Sequence, residues 1–156
     1  MTDLNHKKPI RCVSALLVIL FCFTMTGCDD AYRAAAKGTD DVASATSAAI
    51  PAVAQLYKEG TITQAEKNAI AGILLNVVDV NTEFRNNVKA LHAKPATTKA
   101  DYVNAVNSYV QSVRNLLASG DLHVKNANGQ QKLDLLFQAI QAGLTAVSTA
   151  VSSAKG

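Results

Sequence analysis

The sequence has 156 residues, of which 49% are hydrophobic, 17% charged and 5% aromatic, with no Trp and a formal net charge of +3. This length favours a single domain and argues against a multidomain enzyme. The chain has too much apolar content and too little charge for a disordered polyelectrolyte, so we expect it to fold.

The N-terminal segment has the layout of a secretory signal peptide. Basic residues precede an apolar run over residues 13–25, and the run closes on small residues before Cys28. A helix needs about 20 residues to cross the hydrocarbon core of a bilayer. The apolar run is shorter than that, which disfavours a permanent transmembrane helix.

The residues Thr26-Gly27-Cys28 resemble the lipobox of bacterial lipoproteins, with Met25 at the position where Leu is usual. The resemblance implies that residues 1–27 are a cleaved signal peptide and that Cys28 receives diacylglycerol and becomes the acylated N-terminus. Two or three acyl chains make a stable anchor, whereas one chain holds a protein to a membrane only marginally. The alternatives are a plain signal peptide with an incidental Cys and an uncleaved anchor.

Two acidic residues follow the cysteine directly. Asp29 resembles the signal that retains a lipoprotein in the inner membrane of enteric bacteria, and Asp30 is compatible with it. The inner membrane is therefore favoured over the outer membrane. Cleavage would leave twelve basic and eleven acidic residues, a net charge of +1. A nucleic-acid-binding domain normally has a strongly basic charge. We therefore do not expect this protein to bind nucleic acid.

The cleaved chain is predicted to contain a tether and one helical domain. Residues 28–38 are too polar for a core segment and end in a turn signal, so we expect a short tether there and a helical domain over residues 39–156. Thr39 or Asp40 is expected to begin the first helix.

Four helices are predicted. The first runs to about Lys58, with a kink or break near Pro51, because proline removes a backbone hydrogen bond. Thr63 and Glu66 form a capping box for the second helix, which ends before Pro95. The third runs from about Thr98 to Gly120, and the fourth covers residues 130–153.

Apolar side chains recur at spacings of three and four along these helices, which predicts one buried face on each. The stripes are Val42, Ala45, Ala49, Val53 and Leu56; Ile70, Ile73, Leu74, Val77, Phe84, Val88 and Leu91; Val103, Val106, Val110, Val113 and Leu117; and Leu133, Phe137, Ile140, Leu144, Val147 and Val151. Such a period with short connections predicts an all-α fold, an antiparallel up-down-up-down four-helix bundle.

Signatures of cofactor and catalytic chemistry are not found in the sequence. A haem attachment motif is missing, and His92 and His123 flank a predicted helix of about 20 residues, which separates them by roughly 30 Å. Asp79 and Glu83 share a helix face without the accompanying histidines of di-metal bundles, which indicates a solvated acidic face. We therefore expect no metal, no cofactor and no enzymatic activity.

Three surfaces are candidates for interaction. Tyr102 and Tyr109 are one heptad apart and are expected at the rim of the core, where they either bind a ligand or simply cover apolar residues. The first and fourth helices carry long uncharged stretches with small outer residues. These residues bind a partner or a second copy of the chain, or the two helices only pack on each other. Those residues are Ser44, Ser47, Thr145, Ser148 and Ser152.

The third candidate surface is basic. In an up-down bundle the turn between the second and third helices and the C-terminus return to the end where the first helix begins. Four lysines there either face anionic headgroups or are only solvated: Lys89, Lys94, Lys99 and Lys155.

Together these patterns predict a lipid-anchored extracytoplasmic helical protein with a structural or interaction role in the cell envelope. The alternative is a carrier of a small apolar ligand. A filled bundle interior would favour the first function, and a cavity of several hundred Å³ lined by the valines of the third helix would favour the second.

Overall fold

A computed structural model describes residues 26–120 and 124–155, which form four α-helices: α1 (Thr26–Lys58), α2 (Gln64–His92), α3 (Lys99–Gly120) and α4 (Ala127–Ser153). α1 packs against α2 and α4, and α3 packs against the same two helices. The predicted all-α four-helix bundle is confirmed. The apolar run of the predicted signal peptide and His123 lie outside the described residues.

The alternating helix directions give the bundle two ends. The Cys28 end contains the start of α1, the turn between α2 and α3, and the end of α4. The Gly60 end contains the turn after α1, the start of α2 and the connection to α4. Gly60 adopts a φ of 69°, a left-handed conformation that glycine tolerates without steric cost.

The predicted tether is wrong, because α1 begins at Thr26 and residues 28–38 are helical. Ala31 and Ala35 are fully buried, so this segment packs into the bundle. Gly38 is also buried, and a Cβ placed there would lie 2.2 Å from the Cβ of Val147 on α4. Gly38 therefore allows two helices to approach closely, and it does not form a turn.

Of the kink or break predicted near Pro51, the break is excluded, because α1 continues through this residue to Lys58. Pro51 has no N–H for the carbonyl of Ser47, one turn earlier. Both residues are exposed. Water can therefore bind that carbonyl, and the helix continues.

The start of α2 confirms the predicted capping box. The backbone N–H of Thr63 donates to Glu66 Oε2 at 2.6 Å, and the N–H of Glu66 donates to Thr63 Oγ1 at 3.2 Å. The second carboxylate oxygen of Glu66 accepts from the N–H of Lys125 at 2.8 Å. Glu66 thus joins α2 to the connection before α4.

These hydrogen bonds make the stability of the Gly60 end sensitive to acid. They hold the pKa of Glu66 below its ordinary value of 4.5. The ionised form is therefore favoured by folding, and its contribution to stability is lost as the pH falls below that value. We expect Glu66→Gln to lower the free energy of unfolding at neutral pH and to reduce its decline in acid. Urea denaturation at several pH values measures both effects, and an unchanged decline would contradict the assignment.

The predicted stripes form the core. All six stripe residues of α4 are buried, whereas Ile73, Leu91 and Val103 at the edges of α2 and α3 are half-buried. By length and composition α4 alone among the described helices could span a membrane. Its stripe packs against the other helices of the bundle, whereas most of its other residues are exposed.

Candidate lipid-attachment end

Cys28 lies at the start of α1 and packs, half-buried, against the core. Its Sγ donates to the backbone carbonyl of Thr97, 3.1 Å away in the turn between α2 and α3. Because residues 28–38 are helical, no flexible spacer separates Cys28 from the bundle. A thioether sulfur has no proton, so a lipid on Cys28 would remove this hydrogen bond and leave the Thr97 carbonyl for another donor.

The two predicted sorting residues lie beside Cys28, and both are exposed. An Asp29 carboxylate oxygen lies 3.9 Å from the guanidinium of Arg33 and another lies 3.9 Å from Nε2 of His92. Exposed contacts at this distance contribute little to stability. Asp29 and Asp30 are therefore accessible from solvent.

An aromatic pair joins α1 to α2 at this end. The rings of Tyr32 and His92 are stacked, with centroids 3.9 Å apart and an angle of 14° between the planes. His92 is the last residue of α2, and 43% of its side chain is exposed. The stack helps hold the first turns of α1 against the bundle.

The four lysines predicted for this end lie near the turn between α2 and α3 and near the end of α4. Lys89, Lys94 and Lys155 are exposed. Lys99 is half-buried, and its Nζ donates to the carbonyl of Ala154 at 2.6 Å. Because Ala154 caps α4, this bond places the end of α4 beside the start of α3.

Tyr102 is a core residue, so its prediction as part of an aromatic rim is wrong. Its side chain is fully buried, and its hydroxyl has no hydrogen-bond partner in the described part of the protein. Burial raises the pKa of this hydroxyl, and the nearby Cys28 and Tyr32 raise it further. Tyr102 therefore lies beneath the start of α1.

Tyr109 is also buried rather than at a rim, and it links three helices. Its hydroxyl donates to Asn81 Oδ1 at 2.7 Å, and Asn81 Nδ2 donates to the backbone carbonyl of Thr39 at 3.2 Å. The Tyr109 ring stacks on Phe84 with centroids 4.2 Å apart. Burial raises the pKa of Tyr109, so its hydroxyl remains a donor at physiological pH.

A shallow groove of about 230 Å³ runs between α2 and α3, outside the bundle interior. This groove is not the cavity expected for a carrier, which would lie inside the bundle and be lined by the valines of α3. Of these, Val106, Val110 and Val113 are buried in the packed core. The groove is lined by Val80, Glu83, Phe84, Asn87, Ala105, Ser108, Tyr109 and Ser112.

The predicted interaction residues on α1 and α4 are mostly exposed. Ser44, Ser47, Thr145 and Ser152 face solvent, and Ser148 is half-buried. α1 and α4 pack on each other through other positions, where Gly38 meets Val147. The inner faces of α1 and α4 therefore pack on each other. A role of the outer residues in binding a partner or a second copy stays a prediction.

The described residues contain no group of three or more His, Cys, Asp or Glu side chains that could hold a metal ion. Asp79 and Glu83 are both exposed on α2, as expected for a solvated acidic face. In comparisons with known proteins, no family model, no curated protein and no solved structure matches this chain.

Proposed function

We propose that this protein is a bacterial lipoprotein whose mature chain begins at a lipid-modified Cys28. One observation carries the proposal: the cysteine of the lipobox-like segment lies at one end of the bundle, where it packs half-buried against the core. Cleavage before Cys28 would leave the packed segment from Ala31 onward intact. The acyl chains would start at the surface of the Cys28 end and enter the bilayer beside it.

The bundle is then an extracytoplasmic module with a structural or protein-interaction role, and it faces the periplasm or the exterior. The exposed Asp29 and Asp30 favour retention in the inner membrane. The packed valines of α3 favour an interaction role over a carrier role, because a carrier needs interior space for its ligand. The small outer residues of α1 and α4 are the surface on which we place a protein partner or a second copy.

Replacement of Cys28 tests the lipid anchor. We expect Cys28→Ala to leave an uncleaved precursor or to release soluble protein, because no diacylglyceryl group can be attached. Cys22→Ala is the matched control, since Cys22 would leave with the signal peptide, and this variant should be processed like the wild type. Membrane fractionation with immunoblotting measures both. A Cys28→Ala protein with the wild-type size in the wild-type membrane fraction would refute the proposal.

A further inference from the structure

We infer that the Cys28 end itself rests on an anionic phospholipid surface, so that the bundle stands upright on the membrane rather than hanging from a tether. This inference rests on the proposed lipidation of Cys28 and adds a second contact to it. The occupant of the surface is the headgroup layer of the membrane that holds the lipid anchor.

The attachment geometry is the first argument. Cys28 is half-buried in the Cys28 end, and its sulfur lies 3.1 Å from the carbonyl of Thr97. A lipid on this sulfur therefore brings the turn between α2 and α3 to the headgroups. Without Thr26 and Gly27, α1 has 31 of its 33 residues, which at 1.5 Å per residue gives a length of about 46 Å. The Gly60 end would then stand about that far from the membrane surface.

The charge distribution is the second argument. Within about one and a half turns of the Cys28 end, five basic residues outnumber three acidic ones: Arg33, Lys89, Lys94, Lys99 and Lys155 against Asp29, Asp30 and Asp101. The middle of the bundle has the opposite balance, with two basic and four acidic residues: Lys37 and Arg85 against Asp40, Asp41, Asp79 and Glu83. Anionic headgroups attract basic residues only within about a Debye length, roughly 8 Å at physiological salt. A tether would move the lysines out of that range, and the helical start of α1 keeps them within it.

A site-specific fluorescent label tests this orientation. In the lipidated protein the sulfur of Cys28 is blocked, so a cysteine introduced at Ala96 or at Gln64 can be labelled selectively. Ala96 lies in the turn at the Cys28 end and Gln64 at the opposite end, and both are exposed. The purified lipoprotein would be placed in vesicles of phosphatidylcholine alone or mixed equally with phosphatidylglycerol, with brominated acyl chains as the quencher.

We expect several-fold stronger quenching at Ala96 than at Gln64 in the anionic vesicles, and weaker quenching at Ala96 at high salt or without phosphatidylglycerol. Lys94→Glu with Lys155→Glu should reduce the signal at Ala96. The matched control, Lys58→Glu with Arg114→Glu, exchanges two exposed basic residues far from the Cys28 end and should not change it.

The experiment distinguishes failure of the upright orientation from failure of the proposed lipidation of Cys28. If the protein is lipidated and bound to vesicles but the Ala96 label is quenched no more than the Gln64 label, upright seating is overturned and the lipoprotein proposal stands. If mass spectrometry of the same preparation finds no lipid on Cys28, the lipoprotein proposal fails and the inference fails with it.

Discussion

Replacing Gly38 with Ala is expected to destabilise the bundle by about 2 kcal/mol, although alanine is the better helix former. The added Cβ would lie 2.2 Å from the Cβ and Cγ2 of Val147 and 3.1 Å from its Cα. The Cα cannot turn away as a flexible side chain can, so α1 and α4 must move apart. Urea denaturation measures the loss of unfolding free energy.

Gly72→Ala is the matched control. Gly72 lies inside α2 and is exposed, and a Cβ there meets nothing within 4 Å. This variant should stabilise the protein by about 0.5–1 kcal/mol through helix propensity alone. Adding Val147→Gly to Gly38→Ala should cost less than the sum of the two single changes, because it removes the Cβ and Cγ2 atoms that lie 2.2 Å from the new Cβ. Equal effects of the two glycine variants would contradict the close approach of α1 and α4.

Removing the hydroxyl of Tyr109 is also expected to lower the free energy of unfolding strongly. Tyr109→Phe would leave Asn81 Oδ1, whose residue is only 7% exposed, without the donor that lies 2.7 Å away. A buried polar atom that loses its partner costs about 1–3 kcal/mol. The hydrogen bond from Asn81 to Thr39 would remain, but the link between α1, α2 and α3 would end at Asn81.

Tyr102→Phe provides the comparison for Tyr109→Phe. The Tyr102 hydroxyl is buried without a partner among the described residues. Its removal leaves no other group unsatisfied, so this variant should be neutral or slightly more stable. The two tyrosines are one heptad apart on the same helix, which makes the pair well matched. A loss at Tyr102 equal to that at Tyr109 would mean that the Tyr102 hydroxyl has a partner after all.

Features set by local sequence were predicted correctly. The stripe of α4 repeats at spacings of four and three, and the helix buries all of its members. The capping box of α2 involves Thr63 and Glu66, three residues apart, so its geometry follows from the chain itself. Such signals need no knowledge of the neighbouring helices.

Features set by distant contacts were missed. The sequence at Gly38 predicts a turn, whereas the role of this residue depends on Val147, more than 100 residues away in the sequence. The polar side chain of Asn81 predicts a place outside the core, yet Asn81 is buried and its amide is hydrogen-bonded to Tyr109 and Thr39. Pattern analysis places polar residues outside the core, and it cannot identify the partners that make burial possible.

The candidate site was predicted only in part. A local motif identified Cys28, whereas its contact with Thr97 depends on the topology of the bundle. One sequence signal did mark the helical start of α1, since small or apolar residues recur every seven positions through the stretch interpreted as a tether. The series is Cys28, Ala35, Val42, Ala49 and Leu56. The charged residues between these positions favour a tether, whereas the heptad indicates the helix that the structure shows.

The mass of the N-terminal peptide of protein purified from membranes tests the central claim most directly. A lipoprotein of this kind should yield a peptide that begins at Cys28 and is heavier than its sequence by a diacylglyceryl group, with or without a further acyl chain on the amine. An unmodified peptide that begins at Cys28 or at any other residue would contradict the lipid anchor.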